Sequence, residues 1–276
     1  MTERSRLKMI LIFILALTDL FLAAHWIGLR ARERNALRRV EDRLTALYRA
    51  DGILLSRSVI AQISKNANQT PLSGIKLSRD TEQEISAAVF FLGQDTELIQ
   101  SGDTRGYIAS DGESVARFYP GGGFTVTGLN IEKNAEAICR EFCQAHGYEP
   151  PDKFDLDDGV LPATAIYQDL PVYNCQLYFS FKDGVLSEVL GTLLPRMEIN
   201  ADSGAAADLS AAGALALFQA RGQDSRGGVK NITGVEARWS YESNGTETAD
   251  LIPAWRIITD AGDYYINRDT GRISGG

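Results

Sequence analysis

The chain of 276 residues carries 28 basic and 36 acidic residues, for a formal charge of −8, and 44% of its residues are hydrophobic. This composition is that of a globular protein and excludes a largely disordered or collagen-like chain. The acidic balance argues against a nucleic-acid-binding protein, which needs a basic face, and three cysteines are too few for a disulfide-dense scaffold.

The positive charge is concentrated at the amino end. Residues 1–39 contain eight basic and three acidic residues, net +5, so the rest of the chain carries a net −13. The basic residues flank one apolar segment, residues 9–29. Its 21 residues would form a helix about 30 Å long, the thickness of a bilayer core.

This segment predicts a single N-terminal transmembrane helix. A cleaved signal peptide is the alternative, but the apolar run is longer than usual for such a peptide, and Ala23-Ala24-His25 is a poor cleavage site. We therefore expect an uncleaved anchor in the cell membrane. The flanking charges leave its orientation open, because basic residues lie on both sides of the segment.

Asp19 lies in the middle of this segment, where an ionisable side chain costs about 2.5–3.5 kcal/mol on insertion scales. One interpretation is a tolerated single polar residue. The other is a contact with a helix of another molecule, since the chain has no second apolar span. We expect the helix–helix contact, with partner-binding residues Thr18, Asp19 and Phe21.

Residues 30–50 predict a juxtamembrane helical stalk. Its apolar residues are spaced three, four and three apart and form a seam of two heptads: Leu37, Val40, Leu44 and Leu47. Such a seam is typical of a coiled coil. It is equally typical of a short amphipathic helix that packs on its own domain, and two heptads do not decide between them.

Residues 51–129 predict a membrane-proximal α+β region. Apolar runs at 52–63 suit one or two strands. Asp80 is the expected N-cap of a helix that ends at Phe91. The alternating segments that follow predict hairpins, with a turn at Asp111-Gly112 and a flexible tip at residues 121–123.

Two helix–β–β–β units are predicted next, at residues 130–200 and 201–276. The expected N-caps, Asn130 and Asp208, lie 78 residues apart, and Gly147 is the expected end of the first helix. Each unit would be an antiparallel sheet packed on one helix, so the two units can pack together or leave a groove. The candidate strands are 161–168, 172–181, 185–194, 229–241, 252–259 and 263–267.

No catalytic motif is present in the sequence. Only two histidines occur, His25 in the apolar segment and His146 in the body. No Ser-His-Asp arrangement, phosphate-binding loop or dinucleotide-binding fingerprint is visible. We therefore expect no enzyme, no cofactor and no small-molecule substrate.

Three cysteines and a histidine have a more interesting spacing. Cys139, Cys143 and His146 share one face of a predicted helix, and Cys175 is on a neighbouring strand. Together they have the ligand types of a zinc site. The alternatives are a disulfide to Cys175 in an extracellular body and small buried core residues. The last two fit better, because paired CxxC spacings are absent.

Several segments carry a family resemblance: the basic tail, IFILALTDLFLA, ADGILL, YQDLPVYNCQLYFSFKDG and LIPAWRIITDAGDYYINRDTGRI. In this layout the chain resembles the YycI-type regulatory proteins of Gram-positive bacteria, which act with YycH-type proteins on a cell-wall-sensing histidine kinase. The last segment also looks like the end of a PepSY-type module. The resemblance implies a short cytoplasmic tail at residues 1–8, with the C-terminal body outside as an α+β structure of repeated PepSY-like units.

The resemblance implies a non-enzymatic, membrane-anchored regulator of a sensor histidine kinase in a cell-wall two-component system. Its partners would be the kinase, a YycH-type co-regulator and membrane lipid, without nucleic acid. The alternative is a PepSY-like inhibitor or chaperone of an extracytoplasmic hydrolase, which holds a partner segment in the groove between the units. Trp255 and Tyr173 occupy matching positions in the two units, and we expect both to be core aromatics.

Overall fold

The computed structural model describes residues 3–66, 72–154, 158–199, 209–221 and 228–275. The helices in these ranges are α1 Glu3–Ala50, α2 Arg57–Asn66, α3 Thr81–Leu92, α4 Ala135–His146 and α5 Ala211–Ala220. The strands are β1 Leu54–Leu55, β2 Ile75–Ser78, β3 Thr96–Ser101, β4 Thr104–Ala109, β5 Val115–Phe118, β6 Gly123–Ile131, β7 Tyr148–Glu149, β8 Asp158–Tyr167, β9 Leu170–Lys182, β10 Val185–Thr192, β11 Met197–Ile199, β12 Asn231–Ser243, β13 Thr248–Thr259, β14 Gly262–Asn267 and β15 Ile273–Gly275.

Local capping signals explain two of the helix ends. The Asp80 carboxylate accepts hydrogen bonds from two backbone N–H groups in the first turn of α3, as predicted. Gly147 ends α4 in the left-handed conformation, with φ 67°. The expected N-cap Asn130 is wrong, because β6 continues to Ile131 and α4 begins only at Ala135.

The apolar runs at residues 52–63 form a helix rather than strands. Only Leu54 and Leu55 are in a strand, and α2 begins at Arg57. Val59 and Ile63, four residues apart, are both buried, which is the spacing of one helix face. A short apolar run fits a helix and a strand equally well, so the sequence pattern could not decide.

The strands join into one large mixed sheet of 15 strands in the described residues. Its main path is β11-β2-β13-β12-β9-β10-β6-β5-β4-β3. Most pairs are antiparallel, but β12 pairs in parallel with β1 and with β9. The predicted fold class, with separate antiparallel sheets each packed on one helix in repeated units, is therefore wrong. The reason is the length of β12 and β13, 13 and 12 residues. Each of these strands runs from the part of the body that packs on α4 to the part that packs on α5.

The body has two hydrophobic cores on the same side of β12. Core 1 lies between α3, α4 and strands β4 to β10, and Phe142 of α4 is at its centre. The Phe142 ring lies 4.7, 6.2 and 6.4 Å from the rings of Phe91, Phe124 and Phe179. Core 2 is formed by the end of α1, α2, α5 and strands β12 to β14.

Strand β12 takes part in both cores. Val235 and Ala237 belong to core 2, whereas Trp239 and Tyr241, further along the same face, belong to core 1. Strand β13 is divided in the same way. Because successive residues of a strand point to opposite faces, the intervening residues of β12 and β13 form the opposite face of the sheet.

The three glycines at residues 121–123 join the turn before β6 to β12 and to the segment that follows β10. The Tyr241 hydroxyl donates to the Gly121 carbonyl at 3.0 Å, and the Leu193 N–H donates to the Gly122 carbonyl at 2.8 Å. Gly122 has φ +81°, and a Cβ there would lie 2.6 Å from the Tyr241 hydroxyl. This turn is a packed junction and not the flexible tip that the sequence predicts.

Helix α1 does not provide the expected membrane anchor. No helix in the described ranges is long and apolar enough to cross a membrane. A span needs about 20 consecutive apolar residues, and the described side chains of this part of α1 include Thr18, Asp19 and His25. The predicted transmembrane helix at residues 9–29 and the single-pass cell-membrane location are therefore wrong.

The stalk seam packs on the chain's own body at its C-terminal end. Leu44 is 4% exposed and Tyr48 is fully buried in core 2. The Tyr48 hydroxyl donates to the Leu215 carbonyl of α5 at 2.7 Å. Of the two interpretations left open by the sequence, own-domain packing is confirmed for these residues, whereas Val40 and Leu47 stay exposed.

Candidate binding cleft

A polar cleft crosses the face of the sheet opposite the two cores. Strand β12 shows how it arises. The odd-numbered residues of this part of β12 are buried in the cores, whereas Arg238, Ser240 and Glu242 line the cleft. Strands β9, β13, β14 and β15 supply the other walls.

Two tyrosines divide the cleft into two compartments. Tyr173 of β9 and Tyr265 of β14 stack with their ring centroids 3.3 Å apart and their planes at 23°. Both rings line both compartments, whose volumes are about 330 and 280 Å³. Both tyrosines are half-buried. Rings of this kind supply apolar contact area together with a polar hydroxyl.

An irregularity in β9 brings Tyr173 to this face. Thr164 of β8 pairs with Gln176 of β9, but Ile166, two residues on, pairs with Pro171. Five residues of β9 therefore lie opposite two of β8, and the strand bulges between them. A bulge redirects side chains, so the expectation that Tyr173 is a core aromatic is wrong. The same expectation for Trp255, which is 1% exposed in core 2, is confirmed.

The smaller compartment contains an ion-paired arginine cluster. Arg256 lies 2.5 Å from Asp263 and 3.5 Å from Glu236, and Arg238 lies 2.6 Å from the same Glu236 carboxylate. Burial alone would lower the pKa of Arg256, but its acidic partners outweigh burial and raise that pKa. Burial also raises the pKa of the Tyr265 phenol, so its hydroxyl keeps its proton and can donate a hydrogen bond.

The larger compartment is lined by polar and apolar side chains together. Asn174 in its wall accepts from the Tyr241 N–H at 2.7 Å and donates to the Tyr241 carbonyl at 2.5 Å. This amide therefore joins β9 to β12 where their backbones do not pair. The residues that line this compartment are Tyr173, Asn174, Ser240, Glu242, Ala254, Tyr265, Asn267, Arg272, Ile273 and Ser274.

The lining of both compartments offers hydrogen bonds, charge and aromatic surface. No histidine or cysteine is among the described residues that line them. The arrangement suits non-covalent binding. The sequence does not mark the two tyrosines as binding residues, because both lie in predicted strands with ordinary alternation of polar and apolar residues.

The predicted partner-binding residues lie elsewhere. Thr18, Asp19 and Phe21 are on exposed positions of α1, and Phe21 stacks on His25 with ring centroids 6.2 Å apart. The described contacts of α1 with the body are to α2, α5 and β1. The structure therefore does not bring these residues to the cleft.

The cysteines and His146 are part of core 1 rather than a site. Cys139, Cys143 and Cys175 are free and buried, so the disulfide, one of the alternatives that the sequence left open, is not formed. Burial raises the pKa of each thiol to about 12. In the described part of the chain no group of three or more His, Cys, Asp or Glu side chains is placed to hold a metal ion.

His146 makes the stability of the body depend on pH. Burial, followed by the charge of Arg196, lowers the pKa of His146 from 6.5 to about 4. The folded state therefore keeps the imidazole neutral, whereas the unfolded state protonates it below about pH 6.5. The stabilisation is complete above that pH and is lost as the pH falls toward 4, by about 3 kcal/mol in total.

We expect His146→Leu to flatten the pH dependence of the unfolding free energy between pH 7 and 4.5. Urea denaturation followed by circular dichroism at several pH values measures this slope. The matched control is His25→Leu, at the exposed histidine of α1. An unchanged slope in His146→Leu would contradict the assignment.

Comparisons with known proteins give weak similarities. No family model matches the chain, and a search of curated proteins finds no match. An uncharacterized protein from Eubacterium rectale is 8% identical, over 74% of this chain and 86% of that one, with a TM-score of 0.45. The C-terminal domain of Bacillus megaterium YpeB is 13% identical, over 72% of this chain and 98% of that one, with a TM-score of 0.35. Neither similarity is evidence for a YycI-type protein.

Proposed function

We propose that this chain is a non-enzymatic binding module that holds an extended segment of a partner protein in the cleft. The observation that carries the proposal is the stacked pair of Tyr173 and Tyr265 between two open compartments. Tyrosine and arginine are enriched where proteins bind each other, because they combine contact area with hydrogen bonding. Two compartments that share both tyrosines suit an extended chain segment better than a compact small molecule.

The ion pairs prepare the arginines for such a segment. Because Glu236 and Asp263 already hold Arg238 and Arg256, these side chains lose little rotamer freedom when they receive a partner carbonyl. Pre-organisation of this kind reduces the entropic cost of binding. An inhibitor or chaperone that holds a segment of a hydrolase uses the cleft in this way, which is the second of the two functions that the sequence favours.

The finer proposal concerns the identity of the partner. The sequence resemblance favours a sensor histidine kinase with a YycH-type co-regulator, and this stays a prediction. In that case the exposed Thr18, Asp19 and Phe21 of α1 form a second contact, with a helix of the kinase or of the co-regulator. Control of the kinase would then be a shift between its conformations. A coupling free energy of about 1–3 kcal/mol suffices for a five- to hundredfold change in activity.

Site-specific photo-crosslinking in the cells that produce the chain tests both proposals. The crosslinking amino acid replaces Tyr265 in the cleft, Phe21 on α1 or, as the control, the exposed Val160 of β8. We expect one protein partner to be captured from position 265 and not from 160. Tyr173→Ala should lower that yield about tenfold, the effect of one aromatic contact at a binding hot spot.

The outcomes separate the alternatives. A kinase or YycH-type protein captured from both 265 and 21 supports regulation of a kinase, and a hydrolase captured from 265 alone supports the inhibitor or chaperone. Equal capture from 265 and 160, or links only within the chain, would overturn the binding function of the cleft.

A further inference from the structure

Strand β3 is an exposed end of the large sheet, far along the strand order from the cleft. It pairs with β4 on one side, and in the described part of the chain no strand pairs with its other side. From Glu97 to Ser101 every residue is exposed. Leu98 and Ile99 are 59% and 48% exposed, on opposite faces of the strand.

This edge has few of the features that usually prevent another strand from adding to it. Proteins protect sheet edges with charged side chains, above all lysine, with proline, with bulges or with a covering element. The sequence of β3, TELIQS, contains one charged residue, Glu97, but neither lysine nor proline, and its pairing with β4 is regular over all six residues. An open edge of this kind is ready to pair with an extended chain.

The hairpin geometry shows which backbone groups are available. Ser101 and Thr104 flank a two-residue turn, Gly102-Asp103, and Gly102 has φ 60°. In a two-residue hairpin the flanking pair is hydrogen-bonded, and bonded pairs then alternate along the strands. Residues 97, 99 and 101 therefore bond to β4, and residues 96, 98 and 100 direct their N–H and C=O groups outward.

The charge around the edge selects the occupant. Asp95, Glu97 and Asp103 are all exposed along β3 and its turn. The one basic neighbour on β4, Arg105, is held by Glu84 at 3.2 Å. A second copy of this edge would place acidic groups next to acidic groups, which repel each other, whereas a basic segment would be attracted.

We propose that β3 is a docking edge for an extended segment of a partner protein that has successive β-branched residues in its middle and lysine or arginine at its ends. The segment adds as a new strand beside β3. Its backbone pairs with residues 96, 98 and 100, its β-branched residues cover Leu98 on one face of the sheet and Ile99 on the other, and its basic ends meet the acidic groups. This surface is distinct from the cleft, and neither proposal depends on the other.

The probe for this edge is the acetylated and amidated peptide KTVTVTK, labelled with fluorescein, and the matched control is ETVTVTE. Fluorescence anisotropy with the full chain should give saturable binding of the basic peptide, about tenfold tighter than that of the acidic one. The difference should shrink in about 0.5 M salt, because exposed charges are then screened.

A pair of variants at one position tests the backbone pairing. Gln100 directs its N–H outward, so Gln100→Pro removes one donor without removing a β3–β4 hydrogen bond. We expect Gln100→Pro to weaken binding of KTVTVTK about tenfold and Gln100→Ala to leave it within about twofold. Circular dichroism verifies that both variants are folded.

Amide hydrogen exchange supplies a readout that does not depend on the variants. On adding KTVTVTK, the amides of Thr96, Leu98 and Gln100 should gain protection, whereas those of Glu97 and Ile99, already bonded to β4, should not change. Three results would overturn the proposal: equal binding of the two peptides, protection without this alternation, or a dimer formed through β3 that excludes the peptide.

Discussion

Arg79→Met should destabilise the protein by about 3–5 kcal/mol, the effect of removing one partner of a buried ion pair. The side chains of Arg79 and Glu84 are 6% and 5% exposed and form an ion pair. Arg79 also donates to the carbonyls of Asp103 and Phe118, both at 2.9 Å. Methionine can replace none of these bonds, so Glu84 would keep only Arg105, and two carbonyls would lose a donor.

The double variant Arg79→Met/Glu84→Leu separates the charge from the packing. With both charges removed no buried ion is left unpaired, so most of the loss should be recovered, to within about 1–2 kcal/mol of the parent. Arg140→Met, which breaks the exposed pair with Glu136 on α4, is the matched control, with an expected loss below about 0.5 kcal/mol. Urea denaturation measures all three, and a double variant less stable than Arg79→Met would contradict the argument.

Trp239→Ala should cost about 3–5 kcal/mol, the range for removing a large aromatic side chain from a core. Trp239 is fully buried, and its indole N–H donates to the Tyr167 carbonyl at 3.1 Å. It also lies where β12 pairs with Val172 of β9. The substitution therefore opens a cavity at the point where the two halves of the sheet meet.

Two further variants make this prediction specific. Trp239→Phe keeps an aromatic ring but loses the hydrogen bond, and we expect an intermediate loss of about 1–2 kcal/mol. Trp26→Ala, at a tryptophan that is 54% exposed on α1, should cost less than about 1 kcal/mol. Chemical denaturation followed by far-UV circular dichroism gives each value. A loss below 1 kcal/mol in Trp239→Ala would show that the junction is not set by this side chain.

Local signals in the sequence predict much of the fold between residues 158 and 192. The strands expected at 161–168, 172–181 and 185–194 correspond to β8, β9 and β10. The turns between them need left-handed residues, and Asp169 and Asp183 adopt φ 61° and 52°, as aspartate in turns does readily. Turn chemistry is local, so it can be read from the sequence.

The features that depend on distant pairing were not predictable in this way. The parallel contact of β12 with β9 joins Trp239 to Val172, and no local pattern indicates it. The same contact and the bulge in β9 place Tyr173 beside Tyr265, so the cleft was also missed. The predicted groove between the units was the nearest inference, but nothing in the sequence could locate its walls.

Helix α1 is attached to the body at its C-terminal end and projects from it. Between residues 18 and 36 the described side chains of α1 are all exposed, and the helix is held by Leu44 and Tyr48 in core 2. The far end of α1 therefore lies about 60 Å from that pivot. Core 2 shares β12 and β13 with the cleft. A tilt of about 5° at the pivot would displace the far end of α1 by about 5 Å, a distance comparable to the length of a side chain.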